Sequence, residues 1–391
     1  MSHPFRDVAI VAAHNTRQAR RLEGHTPFSI TLEAALGVLA ESRVPVTEVD
    51  AIFSKHAAEL IYALGIGPVW NSNNPGGIAG LLQAASLVAT GLASTVLLAD
   101  GGAGTYTERA STAPWTRPSN EFVAPFGLYT AAEFALIART HMDRYGTTSE
   151  QLAEVAATIR NNGHVNPDAI YHGRGPYTVA DILASRPIAD PFHLLDCAMT
   201  SEGGCALIVT THERAADLPG TPVYILGGGL DAIGPAYRHA PSWDLVGRGA
   251  ADNADVPNGY VGRRAARRAF ATAGLGPADV DVAELYDPFS FEIIRQFEAF
   301  GFCGDGEGGD FVTGGRIGPD GEIPITTDGG LMSYSHGGGI VQLSQRVARG
   351  VHQLQKSCRT GQVADAKVAL CSNGGAGALF TDVVLLGSEQ P

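Results

Sequence analysis

The feature that most constrains this chain is an internal repeat. Residues 31–52 read TLEAALGVLAESRVPVTEVDAI and residues 262–283 read GRRAARRAFATAGLGPADVDVA. Both spell a helix, a short proline-bearing turn, an acidic-Val-Asp step and the start of a strand. The offset is 231 residues, so that Val49-Asp50 falls on Val280-Asp281. The pattern continues downstream in both copies. Pro75-Gly76-Gly77 opens a helix that leads to the strand Thr95-Val96-Leu97-Leu98-Ala99, and Gly337-Gly338-Gly339 opens one that leads to Lys367-Val368-Ala369-Leu370. Each copy also begins with a short apolar strand, Val8 to Ala12 and Val223 to Leu226. A duplicated α/β chain is therefore expected, with halves at 1–220 and 221–391, each strand-helix-strand-helix-strand. Such βαβ units favour a mainly parallel sheet covered by helices.

Between the copies lies an insertion at about 103–195. Its loops are sampled by Ala113-Pro114-Trp115-Thr116-Arg117-Pro118, and amphipathic helices are expected near Ala131 to Tyr145 and Ser149 to Asn161. Insertions on a rigid scaffold usually build the substrate side of a site.

Charge and cysteine usage exclude several classes. With 27 basic and 40 acidic residues the net charge is −13, which opposes binding to nucleic-acid backbones. Cys197, Cys205, Cys303, Cys358 and Cys371 are odd in number and form no CxxC pair, so neither a disulfide framework nor a metal site is expected. The N-terminal residues lack a signal-peptide layout, and a cytoplasmic location is the expectation. Ile78 to Ala99 carries no charge over 22 residues. Gln83, Ser86, Thr90 and Gly91 interrupt it, so a buried helix, a turn and a buried parallel strand are expected rather than a membrane span. Gly304 to Gly309 formally matches GxGxxG. It follows a helix and carries two acids where a pyrophosphate would lie, so it reads as a loop.

Three segments of the second half place a reactive side chain beside small residues: Glu284-Leu285-Tyr286-Asp287-Pro288-Phe289, Asp328 to Gly337 with Tyr334 and His336, and Leu370-Cys371-Ser372-Asn373-Gly374-Gly375. Tyr286 is expected at the C-terminal edge of the sheet, where open α/β folds place ligands. The loop bearing Tyr334 and His336 precedes a helix, whose free N–H groups favour an anion. The glycines after Cys371 let backbone amides approach an oxyanion. A core tyrosine, a turn-capping histidine and a buried thiol are the competing readings of these same residues.

The segments ELYDPFSFEIIRQFEAFGFCGDGEG, TTDGGLMSYSHGGG and ALCSNGGAGA resemble the thiolase superfamily, in its lipid-transfer-protein or sterol-carrier-protein branch. Leu194 to Gly204 resembles that branch's link between halves. The resemblance implies duplicated βαβαβ halves in a five-layer α-β-α-β-α architecture with an inserted loop domain. Thiolases carry a nucleophilic cysteine at the start of the first half's long helix. Here that position falls at Pro75 and Gly76, and no cysteine is present. His336 matches the family's glycine-histidine loop and Cys371 matches its second catalytic cysteine, whereas Tyr286 replaces the usual Asn or His.

Tyr286-Asp287 with Tyr334-Ser335-His336 is similar to thiolase-like aldolases of steroid side-chain degradation. These lack the nucleophile and cleave β-hydroxyacyl-CoA thioesters by retro-aldol chemistry. The resemblance implies catalytic roles for Tyr286, Tyr334, His336 and Cys371, and substrate or oxyanion binding by Asp287, Ser335, Gly337, Asn373 and Gly374. It implies no resident cofactor, because CoA arrives as part of the substrate. It further implies a homodimer, pairing through the strand Thr95 to Ala99 as a sheet edge. A small OB-fold and zinc-ribbon partner would complete a heterotetramer. An acyltransferase using Cys371 and His336, or a non-catalytic acyl-CoA-binding subunit, are the alternatives.

Overall fold

Asp50 and Asp281 perform the same task in the two copies. In a computed structural model, Asp50 accepts the amides of Ser94 and Thr95, each at 2.8 Å, and Asp281 accepts those of Lys367 and Val368 at 2.8 and 2.9 Å. Each aspartate thus fixes the first residues of the next strand of its half. The structure describes residues 3–73, 76–104, 130–232, 260–337, 341–375 and 380–391. Pro75, Gly338, Gly339 and the 113–118 loop lie outside the described residues.

The first half supplies β1 (Val8–Asn15), α1 (Pro27–Ser42), β2 (Ala51–Phe53), α2 (Ala57–Leu64), β3 (Trp70–Ser72), α3 (Gly77–Ala89) and β4 (Thr95–Gly102). The insertion supplies α4 (Thr130–Tyr145) and α5 (Ser149–Val165), after which β5 (Gly203–Thr211) returns to the sheet. The second half supplies β6 (Val223–Ala232), α6 (Arg263–Ala273), β7 (Val282–Glu284), α7 (Ser290–Phe300), α8 (Val341–Leu354), β8 (Val368–Gly375) and β9 (Phe380–Gly387). Local signals explain the boundaries. Thr26 and Thr148 each close a capping box at the start of α1 and α5, and Gly91, at φ 71°, makes the left-handed turn between α3 and β4.

The strands run β3-β2-β4-β5-β1-β6-β9-β8-β7. Read outward from the β1/β6 seam, the two halves repeat one order, with Ile325 bridging to Ala283 where β3 lies in the first half. The pairing is mixed, which corrects the mainly parallel expectation. Among the described strand pairs only β2–β3, β2–β4 and β7–β8 are parallel. The last strand of each half runs antiparallel to its neighbours. Between β8 and β9 the link is too short for a crossover, so a hairpin results, with Gly375 opposite Phe380. The edge expectation is corrected too. β4 lies between β2 and β5, and β3 forms the edge on that side.

Helices α3 and α8 lie between the two half-sheets, each touching three strands of both halves. Helix α1 covers the first half from outside and α6 the second. Five layers follow. The strands feed two cores by alternation: Leu98 and Leu386 point inward to α3 and α8, while Leu97 and Leu385 point outward. Each such fully buried leucine contributes about 1.5–3 kcal/mol. No described helix is long and apolar enough to cross a membrane.

Candidate active site

The end of β7 leads directly into Tyr286. Its backbone is held from both sides. Its amide donates to Ser372 Oγ at 2.9 Å, and its carbonyl accepts from Gln296 Nε2 at 2.7 Å. The buried ring lies against Gly374, where a Cβ would sit 2.9 Å from Tyr286 Cδ1. Glycine at 374 is therefore required by the ring's position.

The two acids flanking Tyr286 hold the segment that carries the other candidate residues. Glu284 accepts from Thr327 Oγ1 at 2.5 Å, and Asp287 accepts the amides of Leu331 and Met332 at 2.8 and 3.1 Å. Arg346 of α8 completes the brace through Asp328 at 2.7 and 2.8 Å. Residues Gly330–Tyr334 wind into a single π-turn, entered through left-handed Gly329 and Gly330. A side chain at Gly330 would overlap the Asp287 carboxylate. Asp287 is fully buried, and desolvation pushes its carboxyl up to about 7. It acts as an internal brace, not as the substrate contact expected from the sequence.

The loop then turns outward. Ser335 Oγ donates to Gln18 Oε1 at 2.8 Å and lies 2.9 Å from Ser201 Oγ. Ser201 Oγ also accepts the His336 amide at 2.8 Å, and Gly337 bridges to Ser201. Ser335 and Gly337 thus support the loop. His336 Nδ1 lies 2.9 Å from the Met199 carbonyl. A carbonyl only accepts, so Nδ1 carries the hydrogen, and Nε2 is the basic nitrogen of the neutral ring.

The start of α3 is closed. The Gly76 amide donates to Asp100 Oδ2 at 2.9 Å, Gly77 to Ser344 Oγ at 2.8 Å and Ile78 to Asn373 Oδ1 at 2.7 Å. These free N–H groups would otherwise give a helix start its pull on anions. Here side chains of the protein consume them, so Asn373 serves as a cap. A Cβ at Gly76 would overlap Ser344 Oγ and lie 3.5 Å from Asp100 Oδ2. Burial raises the Asp100 carboxyl. Ser344 and Gln345 are consecutive on α8. The first caps α3, and the second donates to Gln18, so one helix turn joins the closed helix end to the His336 loop.

One expected residue is not brought into this group. Cys371 lies mid-strand between Glu284 and Val384, fully buried in the inner core. Its Sγ faces Gly350, 2.5 Å from where a Cβ would sit, and desolvation raises the thiol far above its usual range. Tyr334 is buried too, and desolvation raises its phenol. It lines a cavity of about 810 Å³ that none of Tyr286, His336 and Asn373 lines.

Comparison with known proteins agrees with the fold. The family profile described as thiolase C-terminal domain-like matches residues 251–388. The chain is 31% identical to a steroid side-chain-cleaving aldolase of Thermomonospora curvata, over 94% of this chain and 96% of that one. The chain belongs to the thiolase superfamily. Within the superfamily it is also 31% identical to an acetyl-CoA acetyltransferase of Methanothermobacter thermautotrophicus, covering 95% of this chain and 97% of the relative. Among solved structures it resembles one described as an Ltp2-ChsH2(DUF35) aldolase, with a TM-score of 0.80 and 28% identity over 98% of each chain.

As a thiolase-superfamily member the chain departs where acyl transfer begins. Burial pushes the thiols of Cys197, Cys303 and Cys358 up to about 12, and those of Cys205 and Cys371 higher. None is a thiolate near neutral pH, and the thiolate is the nucleophilic form. Among the described residues no three His, Cys, Asp or Glu side chains converge as metal ligands. Gln18, Ser201 and Ser344 were not singled out from the sequence. Their partners lie far along the chain, Ser344 being 267 residues from Gly77, and no local pattern announces them.

Proposed function

We propose that this chain is a carbon–carbon lyase that cleaves a β-hydroxyacyl-CoA thioester by retro-aldol chemistry, without a covalent acyl-enzyme. The closed start of α3 carries this reading. Of the two residues at the position that bears the thiolase nucleophile, Pro75 and Gly76, the second leaves no room for a side chain, and the amides of Gly76, Gly77 and Ile78 are already capped.

In the proposed reaction Tyr286 takes the β-hydroxyl proton and passes it to Nε2 of neutral His336. The Cα–Cβ bond breaks, its electron pair becomes the thioester enolate, and a ketone or aldehyde leaves. The His336 imidazolium then returns the proton to the α-carbon, giving the shortened acyl-CoA. A phenol has a reference pKa of about 10, so Tyr286 needs a partner base to serve at neutral pH, and His336 supplies it. Tyr334, the second tyrosine implied by the resemblance, orients the substrate or shuttles a proton in this step. CoA enters only as part of the substrate, and no resident cofactor is invoked. Likeness to the Thermomonospora curvata enzyme supports a steroid or similarly bulky aromatic side chain as the acyl group.

The proposal includes a cytoplasmic homodimer built on the β3 edge, where Trp70 of that strand and the nearby Leu230 are half exposed. It also includes a small OB-fold and zinc-ribbon partner in a heterotetramer, supported by the DUF35 component named with the similar solved aldolase. The experiment is an assay of the purified chain, with and without that partner, on a panel of β-hydroxyacyl-CoA thioesters. Release of a carbonyl product with an equimolar shortened acyl-CoA supports the reading. Acyl transfer to free CoA with no carbonyl release would favour the acyltransferase alternative.

A further inference from the structure

Gln18, just beyond β1, is a buried amide gripped by other segments of the fold at both its nitrogen and its oxygen. Its Nε2 donates to the carbonyls of Thr16 at 2.7 Å and Gly204 at 3.2 Å. Its Oε1 accepts from Ser335 Oγ at 2.8 Å and from Gln345 Nε2 of α8 at 3.0 Å. A carbonyl only accepts, so the two carbonyls fix which end of the amide is nitrogen, and the oxygen must face Ser335. Gly203 makes room for this arrangement, since a Cβ there would overlap the Gln18 amide.

The orientation propagates. The Gln18 oxygen takes the single hydrogen of the Ser335 hydroxyl. In the 2.9 Å contact between Ser335 and Ser201, Ser201 must then be the donor. With its own hydrogen committed to Ser335, Ser201 Oγ meets the His336 amide as an acceptor, at 2.8 Å. Each hydrogen between Gln18 and the His336 backbone therefore has one direction. Both serines are fully buried, so bulk solvent offers no alternative partner. The segment that carries Ser201 also carries Met199, whose carbonyl lies 2.9 Å from His336 Nδ1. Residues 199–201 thus hold His336 twice, by its amide and by its ring.

We infer that Gln18 is a positioning residue for His336: its oriented amide, acting through Ser335 and Ser201, holds the imidazole as the Nδ1–H tautomer, with Nε2 as the proton-accepting nitrogen. The inference deepens the aldolase reading, in which Nε2 takes the proton from Tyr286. Without the Gln18 oxygen the Ser335 hydrogen turns to Ser201, and the Ser201 hydrogen needs a new acceptor in a buried place. The His336 amide and the Met199 contact loosen together, and the ring takes either tautomer.

The test records imidazole nitrogen NMR spectra of the full chain carrying isotope-labelled histidine, at a pH where the His336 ring is neutral. His336→Asn assigns the signal by removing it. Steady-state kinetics on a β-hydroxyacyl-CoA thioester run beside it, and only this kinetic arm rests on the aldolase reading. The variants are Gln18→Leu, Ser335→Ala and the two combined. Ser335→Ala leaves the Gln18 amide on its carbonyls, so it breaks the chain even where Gln18→Leu folds poorly. The Nδ1–H tautomer alone is expected in the wild type, and a tautomer mixture in each variant. kcat should fall about tenfold or more with KM little changed, since a misplaced reacting group costs rate more than binding. The double variant should lose little beyond the worse single one, as two links of one chain do. A tautomer mixture with unchanged kcat supports the inference and counts against the proton step given to His336. A wild type in the Nε2–H form, variants that keep the Nδ1–H tautomer, or losses that multiply in the double variant would overturn it.

Discussion

Asn373 of the second half accepts the Ile78 amide of the first at 2.7 Å, across 295 residues of sequence. The bond places a neutral side-chain oxygen on the helix start where a thiolase holds its reacting sulfur. The duplicated fold is retained, and the chemistry its first helix serves elsewhere has been replaced by structural capping.

Restoring a thiol at this point is expected not to restore acyl transfer. In Gly76→Cys the new Cβ collides with Ser344 Oγ, and overpacking of this kind costs about 1–3 kcal/mol. Urea denaturation should show that loss, and adding Ser344→Ala should recover part of it. A stable Gly76→Cys variant with an acylated cysteine would contradict the closed-end account.

Tyr286→Phe is expected to lower kcat about 100-fold or more, the usual worth of a positioned proton-transfer group, with the melting temperature little changed. Cys371→Ala is expected to do the reverse. It leaves a small cavity in the inner core, costing about 1 kcal/mol, and spares turnover. Steady-state kinetics and thermal denaturation of both variants separate a reacting phenol from a packed thiol.

The pH response of stability tests the brace at Asp287. Burial raises its carboxyl to about 7 in the folded chain, against about 3.9 unfolded. Between these values the unfolded state ionises while the folded state keeps its proton. The wild type's stability relative to Asp287→Asn is therefore highest below pH 4 and declines as pH rises through 7. Urea midpoints of both proteins over pH 4 to 8 read the difference. A difference that grows with pH would show that the carboxylate, not the acid, is the form the fold prefers.

Much of the architecture could be read before any coordinates. The repeated Val-Asp step marked two equivalent positions, and Gly91 marked where the uncharged stretch breaks into helix and strand. Strand direction was less legible. β9 is antiparallel because its link to β8 is short, a property of the connection and not of the strand's own residues. In the candidate site, Tyr286 stood out by its place at the end of a strand and His336 by its glycine-flanked loop. Cys371 misled because the period of two along β8 turns it and Asn373 inward, while Ser372 and Gly374 face Tyr286. Tyr334 lies two residues from His336, at the end of the π-turn, and is almost fully buried.

The most direct test of the central claim is the intact mass of the protein, quenched during turnover of a β-hydroxyacyl-CoA substrate in the presence of the proposed partner. The account predicts an unmodified chain mass while carbonyl product and shortened acyl-CoA accumulate in equal amounts. A chain carrying the mass of an acyl group, chased off by free CoA, would contradict it.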